Sequence, residues 1–356
     1  MQTLPPRDEM ESAFRGRDQT YDGVFWLGVR TTGMFCRPSC PARKPLGRNV
    51  EYFATVREAM FAGYRPCKRC RPLKTGEPMP AWAATLTDRL EAEPDTRITD
   101  GTLGTMGIEP ARARRFFLRR YGMTFQAFAR GRRLGRAFAR LREGADLDAV
   151  ALDHGYESHS GFRDAFAQLF GAPPGQSREA GHVTLGWMES PLGPLVAGAT
   201  DRGVCLLEFS DRRMLETQVT TLRRRLKCAA VPGEHPLLTQ LGAELEEYFG
   251  ARRRGFTVPL HYPGTEFQVR VWTALRDIPY GQTTSYEALA ATVSRPGAQR
   301  AVGKANGDNR IAIVIPCHRV VRKDGTLCGY GGGLWRKRRL LELERGVTTL
   351  ALDDAS

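Results

Sequence analysis

Cysteine spacing constrains this chain more than any other feature. Cys36 and Cys40 are separated by three residues, Cys67 and Cys70 by two, and 26 residues lie between the pairs. Two short-spaced pairs close a tetrahedral site, because each short loop turns both sulfurs toward one point. Pro38, Pro41 and Pro66 stiffen those loops. Four thiolates favour Zn2+ over harder cations. The competing readings are coincidental pairs or redox disulfides. Four thiolates around one divalent ion carry a formal charge of about −2, which makes the sulfurs nucleophilic while the metal keeps them deprotonated. The flanks are basic, with Arg30, Arg37, Arg43, Lys44, Arg48, Arg65, Lys68, Arg69 and Arg71. Such a centre fits a nucleophilic thiolate on a phosphate-attracting surface, and spacing alone fits a structural zinc equally.

At 356 residues the chain has room for two or three domains. Fifty-three Lys and Arg against 39 Asp and Glu give a formal charge of +14. That excess favours an anionic partner, nucleic acid first, over a merely solvated basic surface. No run of about eighteen apolar residues occurs, so no membrane association is expected. The start, MQTLPPRDEMESAF, lacks a secretory signal. A cytoplasmic, nucleoid-associated location follows as the expectation, and a reducing compartment argues against a disulfide framework.

Three textures divide the chain. The first is rich in Cys, Pro, Gly and Arg and ends in LKTGEPMP, a linker reading that closes at Pro80. The second reads as several compact helices punctuated by Gly101, Gly104, Gly107, Gly122, Gly144, Gly155 and Gly171. Between Ala111 and Arg142 it holds eleven arginines and no acidic residue. The interleaved Phe116, Phe117, Leu118, Tyr121, Phe125, Phe128, Leu134 and Phe138 are expected in a core, with arginine-rich faces outside. So much charge of one sign repels itself unless an anion is present. The third opens with two strand-like pieces, Val183–Met188 and Val204–Phe209, around a Pro/Gly turn, and continues into helices and a glycine-rich end.

In IAIVIPCHRVV an apolar run delivers Cys317 and His318 together. A free thiol near pKa about 8.5 is mostly protonated at neutral pH, and His318 is the obvious base to activate it. Adjacent strand residues point opposite ways, so the pair needs a tight turn, a helix start or an intervening water. For a bare Cys-His pair the ordinary outcome is a buried packing cysteine beside a satisfied histidine. Cys205, Cys228 and Cys328 lack comparable surroundings and read as packing residues. Thr265 with Gln268 forms a capping box, and Thr284 with Glu287 is a candidate for another helix start.

Several motifs carry resemblances. TTGMFCRPSCPAR with GYRPCKRC resembles the N-terminal domain of the bacterial Ada family, over most of residues 20–72. The resemblance implies that Cys36 takes a methyl group from a DNA methylphosphotriester while ligating zinc with Cys40, Cys67 and Cys70. Methylation would make the site less negative by one charge and tighten DNA binding, an electrostatic switch. LDAVALDHGYESHSGFRDAFAQLFGAPPGQSR looks like the second helix-turn-helix of AraC-type regulators, within a match over residues 97–178. It implies a first helix near Leu147–His154, a turn at Gly155, a cap at Ser158, and His159, Ser160 and Arg163 facing DNA. It also implies transcriptional control. His154 and His159 read as structural residues or phosphate contacts, not metal ligands.

GTEFQVRVWTAL, IPYGQTTSYEALA, RAVGKANGDN, PCHRVV and GYGGGLWRKRRLLELE resemble the O6-alkylguanine-DNA alkyltransferases over residues 183–347. The resemblance implies that Cys317 is the acceptor thiolate, His318 removes its proton through a water, and Glu344 orients the histidine as in a triad. It further implies that Asn309 buttresses the cysteine turn, Tyr286 helps extrude the nucleotide and donates to the leaving guanine, and Arg300 fills the vacated stack. Tyr330 and Gly331–Gly333 would form a lid. A hydroxyl residue follows this tyrosine in some relatives, and here Gly331 stands instead.

Together these imply a multidomain α/β protein. A small zinc-bound methylphosphotriester-acceptor domain would span 1–78, and a helical AraC-type double helix-turn-helix 81–180. An alkyltransferase would follow, with a ribonuclease-H-like part over 182–262 and a winged-helix-like catalytic part over 263–350. The implied function is irreversible transfer of methyl groups from O6-methylguanine and O4-methylthymine to Cys317 and from methylphosphotriesters to Cys36. The methylated protein would activate the adaptive response. The implied partners are double-stranded DNA and RNA polymerase, with the chain a monomer. The rival reading is a sequence-specific regulator that senses alkylation without repairing bases. The presence of both Cys317 and His318 speaks against it.

Overall fold

The computed structural model describes residues 4–347 except 75–79, 94, 122, 171–172, 175–180 and 213. Most of the linker reading, together with Gly122 and Gly171, lies outside the described residues. The chain forms two compact units, Met1–Ala81 and Trp82–Ser356. Among the described residues no helix is long and apolar enough to cross a membrane.

In the first unit helix α1 (Arg7–Gly16) precedes a four-stranded sheet of β1 (Trp26–Val29), β2 (Met34–Cys36), β3 (Val50–Phe53) and β4 (Arg65–Pro66). The order is β3-β1-β2-β4. Helix α2 (Val56–Phe61) starts where Thr55 accepts from the Glu58 amide, and the Glu58 carboxylate accepts from Ala54 in return. Such a reciprocal cap satisfies two amides that the first turn leaves without partners. Pairing of β2 with β4 is parallel, with Phe35 opposite Pro66. That register places Cys36 and Cys67 at adjacent strand ends, so the sheet, more than the loops, brings the two cysteine pairs together.

The second unit begins with six helices, α3 (Ala81–Ala92), α4 (Asp100–Thr105), α5 (Pro110–Tyr121), α6 (Phe125–Arg142), α7 (Leu147–Asp153) and α8 (His159–Phe170). Their starts are capped by Thr99 for α4, Thr124 for α6 and Asp146 for α7. Ser158 accepts from the Gly161 amide at the head of α8, and Gly155 turns with φ 71°. Phe117, Phe125, Phe128, Leu134 and Phe138 are buried, as the periodicity requires. Phe116 is half-buried, and the burial of Tyr121 lies outside what is described. Two further residues depart from expectation. Leu118 is 44% exposed, because α5 turns that face to solvent, and Arg133 is buried with its guanidinium over the Tyr156 ring. His154 is also buried, which removes it as a phosphate contact.

A four-stranded sheet follows, of β5 (His182–Met188), β6 (Leu195–Thr200), β7 (Gly203–Phe209) and β8 (Ala229–Pro232), in the order β7-β6-β5-β8. Strand β6 was not expected from the sequence. LVAGAT is buried at every position and mostly small, so it shows neither alternation nor bulk. Helices α9 (Leu215–Leu226) and α10 (Pro236–Phe249) flank β8 in sequence. The last part holds α11 (Glu266–Arg276), β9 (Thr284–Ser285), α12 (Tyr286–Thr292), α13 (Gln299–Gly307), β10 (Val320–Val321) and α14 (Leu334–Glu344). Thr265 and Gln268 form the expected capping box on α11. The expected start at Thr284 and Glu287 is corrected. Ser285 caps α12, because Thr284 is spent pairing with Val320 in a parallel bridge, and Glu287 pairs with Lys323. Trp272 is buried in the main core and its Nε1 donates to the Ala305 carbonyl at 2.8 Å, joining α11 to α13.

The helical part packs directly on the sheet. Phe128 of α6 meets Trp187 of β5 at 5.1 Å between ring centroids. Gly131 of α6 lies so close to β8 that an added Cβ would stand 2.8 Å from Pro232 Cδ. Overpacking of this kind costs about 1–3 kcal/mol. Gly131→Leu is therefore expected to lower the thermal midpoint of the second unit, as read by differential scanning calorimetry.

Candidate active site and metal centre

The four sulfurs of Cys36, Cys40, Cys67 and Cys70 lie within 4.8 Å of one another and all four residues are buried. A tetrahedral Zn–S₄ centre with bonds of about 2.3 Å needs sulfurs about 3.8 Å apart, so the cluster fits zinc after a small contraction. Hydrogen bonding inside the cluster pulls Cys40 down to about 2, and the same bonds push Cys36 up. Sulfurs that compete for one another's protons are a donor set suited to a cation. These four residues would hold Zn2+, which would neutralise the mutual repulsion and keep the thiolates deprotonated. All four cysteines are buried alike, and Cys36, Cys40 and Cys67 together border a cavity of about 380 Å³ that Thr31, Thr32, Met34 and Arg43 also line.

Not all the basic flank is free for an anion. Arg37 donates to the Cys70 carbonyl and pairs with Asp22 at 3.5 Å, and Lys44 donates to the Pro38 carbonyl at 3.2 Å. Asp22 also accepts from the amide and hydroxyl of Ser39, and so fixes the Cys36–Cys40 loop. Asp22 was not singled out in the sequence, because nothing in its surroundings marks it as a loop anchor. Arg30, Arg43, Arg48, Arg65, Lys68, Arg69 and Arg71 stay exposed.

In the second unit the apolar run before Cys317 is not a strand. Its backbone is strapped to β7, with the Leu207 amide donating to the Arg310 carbonyl and the Ala312 amide donating to the Leu207 carbonyl, both at 2.7 Å. Ile313 is forced to φ 70°. Asn309 holds the turn. Its Oδ1 accepts from the Ile311 amide at 3.0 Å, and its Nδ2 donates to the Ile315 carbonyl at 2.9 Å and to Cys317 Sγ at 3.2 Å. Cys317 then begins a single 3₁₀ turn, Cys317–Arg319, which is the tight turn the Cys-His pair requires. Burial pushes the Cys317 thiol up, and the Asn309 side chain opposes that shift.

His318 Nε2 lies 2.9 Å from Glu344 Oε1 on α14. Its other nitrogen, Nδ1, is buried without a protein partner among the described residues, which suits a bridging water toward Cys317. Burial pushes His318 below its ordinary 6.5, with Glu344 opposing, so the imidazole rests neutral. Burial works to raise Glu344, but His318 and Arg319 outweigh it and hold the carboxylate well below its usual range. Glu344 accepts further from the Tyr248 hydroxyl at 2.7 Å, from two Arg319 nitrogens at 2.8 Å, and from the Gly281 amide at 3.2 Å. Tyr248, Gly281 and Arg319 escaped the sequence reading. Only Arg319, inside PCHR, carried a local signal.

Cys317 opens onto a cavity of about 290 Å³ that Asn309, Tyr286 and Tyr330 also line. Tyr286 opens α12, with its hydroxyl facing Cys328; burial is the main cause that raises its pKa, and Cys328 adds to it. The lid backbone Gly329–Gly332 closes one side. It is anchored by Lys337, which donates to the Cys328 carbonyl at 2.7 Å, and by Arg336, which donates to the Gly332 carbonyl at 2.9 Å. Arg300 is exposed on α13 and stands apart from the cavity lining. His159, Ser160 and Arg163 are exposed on α8, where His159 pairs with Asp148 at 3.2 Å and the Ser160 hydroxyl meets Ser158 at 3.3 Å. Glu208 and Arg212 also line the cavity and were missed. A lone acid in the buried strand GVCLLEF was the available signal, since a buried carboxylate demands a partner.

A buried thiol with its own base and carboxylate, a DNA-type helical unit and a four-thiolate centre define a methylated-DNA–protein-cysteine methyltransferase fused to a helix-turn-helix domain. Comparisons agree. The metal binding domain of Ada matches residues 9–72 and a helix-turn-helix domain residues 104–180. The ribonuclease-like and DNA binding domains of 6-O-methylguanine DNA methyltransferase match residues 183–262 and 266–346. The chain is 35% identical over 341 residues to the bifunctional transcriptional activator/DNA repair enzyme Ada of Escherichia coli K12, covering 95% of this chain and 96% of that one. It is 57% identical over 159 residues to a methylated-DNA–protein-cysteine methyltransferase of Mycolicibacterium paratuberculosis, covering 44% and 90% respectively. The crystal structure of Mycobacterium tuberculosis O6-methylguanine methyltransferase is 40% identical, with a TM-score of 0.40, over 48% of this chain and 96% of that chain. The chain belongs to the Ada family.

The pH dependence has a defined sign. His318 is depressed below 6.5 in the fold, so the unfolded chain binds a proton that the folded chain refuses, and stability falls as pH drops below 6.5. Glu344, held low, adds stability that is present above its ordinary 4.5 and lost as pH falls toward its folded value. The thermal midpoint should decline below pH 6.5, whereas the single-turnover transfer rate should hold until pH falls to the lower folded value of His318, where a protonated imidazole accepts nothing. Glu344→Gln should lower the rate at neutral pH about a hundredfold, within the usual worth of a positioned base.

Proposed function

We propose that this chain repairs alkylated DNA at two cysteines and reports the damage to transcription. Cys317 takes a methyl group from O6-methylguanine or O4-methylthymine in double-stranded DNA. The observation that carries this reading is the conjunction at one buried cavity of Cys317, the Asn309 amide on its sulfur and the His318–Glu344 pair behind it. Extrusion of the base is required, since a buried thiolate does not reach O6 inside a stacked duplex. Tyr286 assists extrusion and donates to the departing guanine, Tyr330 covers the base, and exposed Arg300 occupies the gap left in the stack.

His318 receives the Cys317 proton through water while Glu344 steadies the imidazolium. The thiolate attacks the alkyl carbon in line. The S–C bond forms as the C–O bond breaks, the electron pair passes to guanine, and guanine takes a proton back. Nothing described in the chain reverses a thioether, so each acceptor acts once.

Cys36 takes the second methyl group, from a DNA methylphosphotriester, while remaining a ligand with Cys40, Cys67 and Cys70. Its place in the wall of a cavity beside the exposed Arg43 supports that role. Loss of one negative charge there tightens DNA binding. The helix-turn-helix unit, through His159, Ser160 and Arg163, then holds promoter DNA and recruits RNA polymerase. The working form is a cytoplasmic monomer. Residues 1–78 form the phosphotriester acceptor, 81–180 the reader, and 182–262 with 263–350 the base-repair part.

Zinc-loaded protein incubated with DNA bearing both lesions, then digested, is expected to show methyl groups on the Cys36 and Cys317 peptides by mass spectrometry. Methyl on Cys317 alone makes the zinc centre structural, and methyl on neither favours the regulator reading. Promoter affinity of the Cys36-methylated form should exceed that of the unmethylated form, with an altered salt slope. Equal affinities at every salt concentration remove the switch.

A further inference from the structure

Opposite Cys317 in the acceptor cavity stands a charged pair that the transfer reaction as described does not use. Glu208 of β7 is wholly buried and Arg212 follows four residues later, just past the strand end, with its side chain only 9% exposed. Both line the cavity with Cys317, Tyr286 and Tyr330. The guanidinium is held on three sides. Nη1 donates to the Glu208 carboxylate and to the Asn309 carbonyl, and Nη2 donates to the Gly307 carbonyl at 2.7 Å. Of the two N–H groups left, that on Nε is buried and has no partner among the described residues. An unpaired buried donor costs about 1–3 kcal/mol, a cost that a ligand acceptor removes. The Tyr330 hydroxyl is buried and unpartnered as well. Two unsatisfied groups thus sit in one cavity with the nucleophile.

The lid shows where the guanidinium lies. A Cβ added to Gly331 would stand 2.4 Å from Arg212 Cζ and 2.6 Å from Nε. Arg212 therefore occupies the place that a side chain at position 331 would take, and Gly331 is required for the guanidinium to lie there.

We propose that Arg212 is a catalytic residue for base repair, its Nε–H donating to the extruded base on the atoms where negative charge develops. This rests on the reading of Cys317 as the acceptor. In the step, the Cys317 sulfur bonds the alkyl carbon, the carbon–O6 bond breaks, and its electron pair moves onto the guanine oxygen and ring. Arg212 keeps all its protons and stabilises that charge by a charge-assisted hydrogen bond. The proton that neutralises guanine is the one the thiol gave up, returned through the base's other donors. Glu208 is the positioning residue that fixes the guanidinium plane.

The test compares two alkylating agents on the full zinc-loaded chain. In wild type, single-turnover methylation of Cys317 by O6-methylguanine DNA is measured beside alkylation of Cys317 by iodoacetamide, whose iodide leaving group needs no such donor. Arg212→Met is expected to slow transfer from DNA about a hundredfold, the usual worth of one such donor, while the iodoacetamide rate stays within about threefold. Affinity for unmodified duplex should be unchanged. Equal losses with both agents would assign Arg212 to the thiolate or to structure and overturn the proposal, as would no loss with either. If Arg212→Met fails a thermal-melt check, Arg212→Lys decides in the same way, because it keeps the charge beside Glu208 but lacks Nε–H. Wild type that leaves Cys317 unmethylated would instead fail the underlying reading, which separates the two failures.

Discussion

One buried carboxylate organises the base-repair site. Glu344 is 5% exposed and receives hydrogen bonds from the imidazole of His318, the guanidinium of Arg319, the hydroxyl of Tyr248 and the backbone of Gly281. An isolated ionised carboxylate is expensive to bury, and the cost is recovered only when every lone pair is satisfied. Here α10, the 3₁₀ turn at Cys317 and the loop before β9 each contribute a partner to a carboxylate carried by α14. The same bonds that make Glu344 tolerable in the core fix the ring of His318, the residue next to Cys317 in the 3₁₀ turn.

Asn309 plays the matching part on the sulfur side. Its side chain closes a turn that carries a left-handed isoleucine, and its remaining amide hydrogen reaches Cys317 Sγ. The reacting residues therefore sit on a backbone strapped to β7, and the cavity in front is walled by that same strand through Glu208. The strap explains how an apolar run ending in Pro-Cys-His presents both side chains at once.

Much of this was legible in the sequence. The zinc cysteines were readable from spacing, and Cys317, His318, Asn309 and Glu344 through family motifs. The structure brings each group together. Caps at Thr265 and Ser158 were readable because N-terminal amides have few chemical solutions. What escaped was tertiary. Strand β6 has no alternation, since both its faces are buried. Thr284 looks like a cap but is spent on a strand pair. Arg133 reads as surface charge yet packs on Tyr156. Tyr248 and Arg212 reach the site across long sequence separations, and no local pattern announces such contacts. The register of β2 with β4, which brings the cysteine pairs together, was equally invisible to spacing rules.

Whether Cys317 is the single, irreversible acceptor for base damage is measured by titrating the zinc-loaded chain with excess duplex carrying radiolabelled O6-methylguanine and no phosphotriester, and counting protein-bound methyl groups over time. The expected result is a plateau at one methyl per chain, abolished by Cys317→Ala and unaffected by Cys328→Ala. Methyl transfer that continues past one equivalent, or that survives Cys317→Ala, would contradict it.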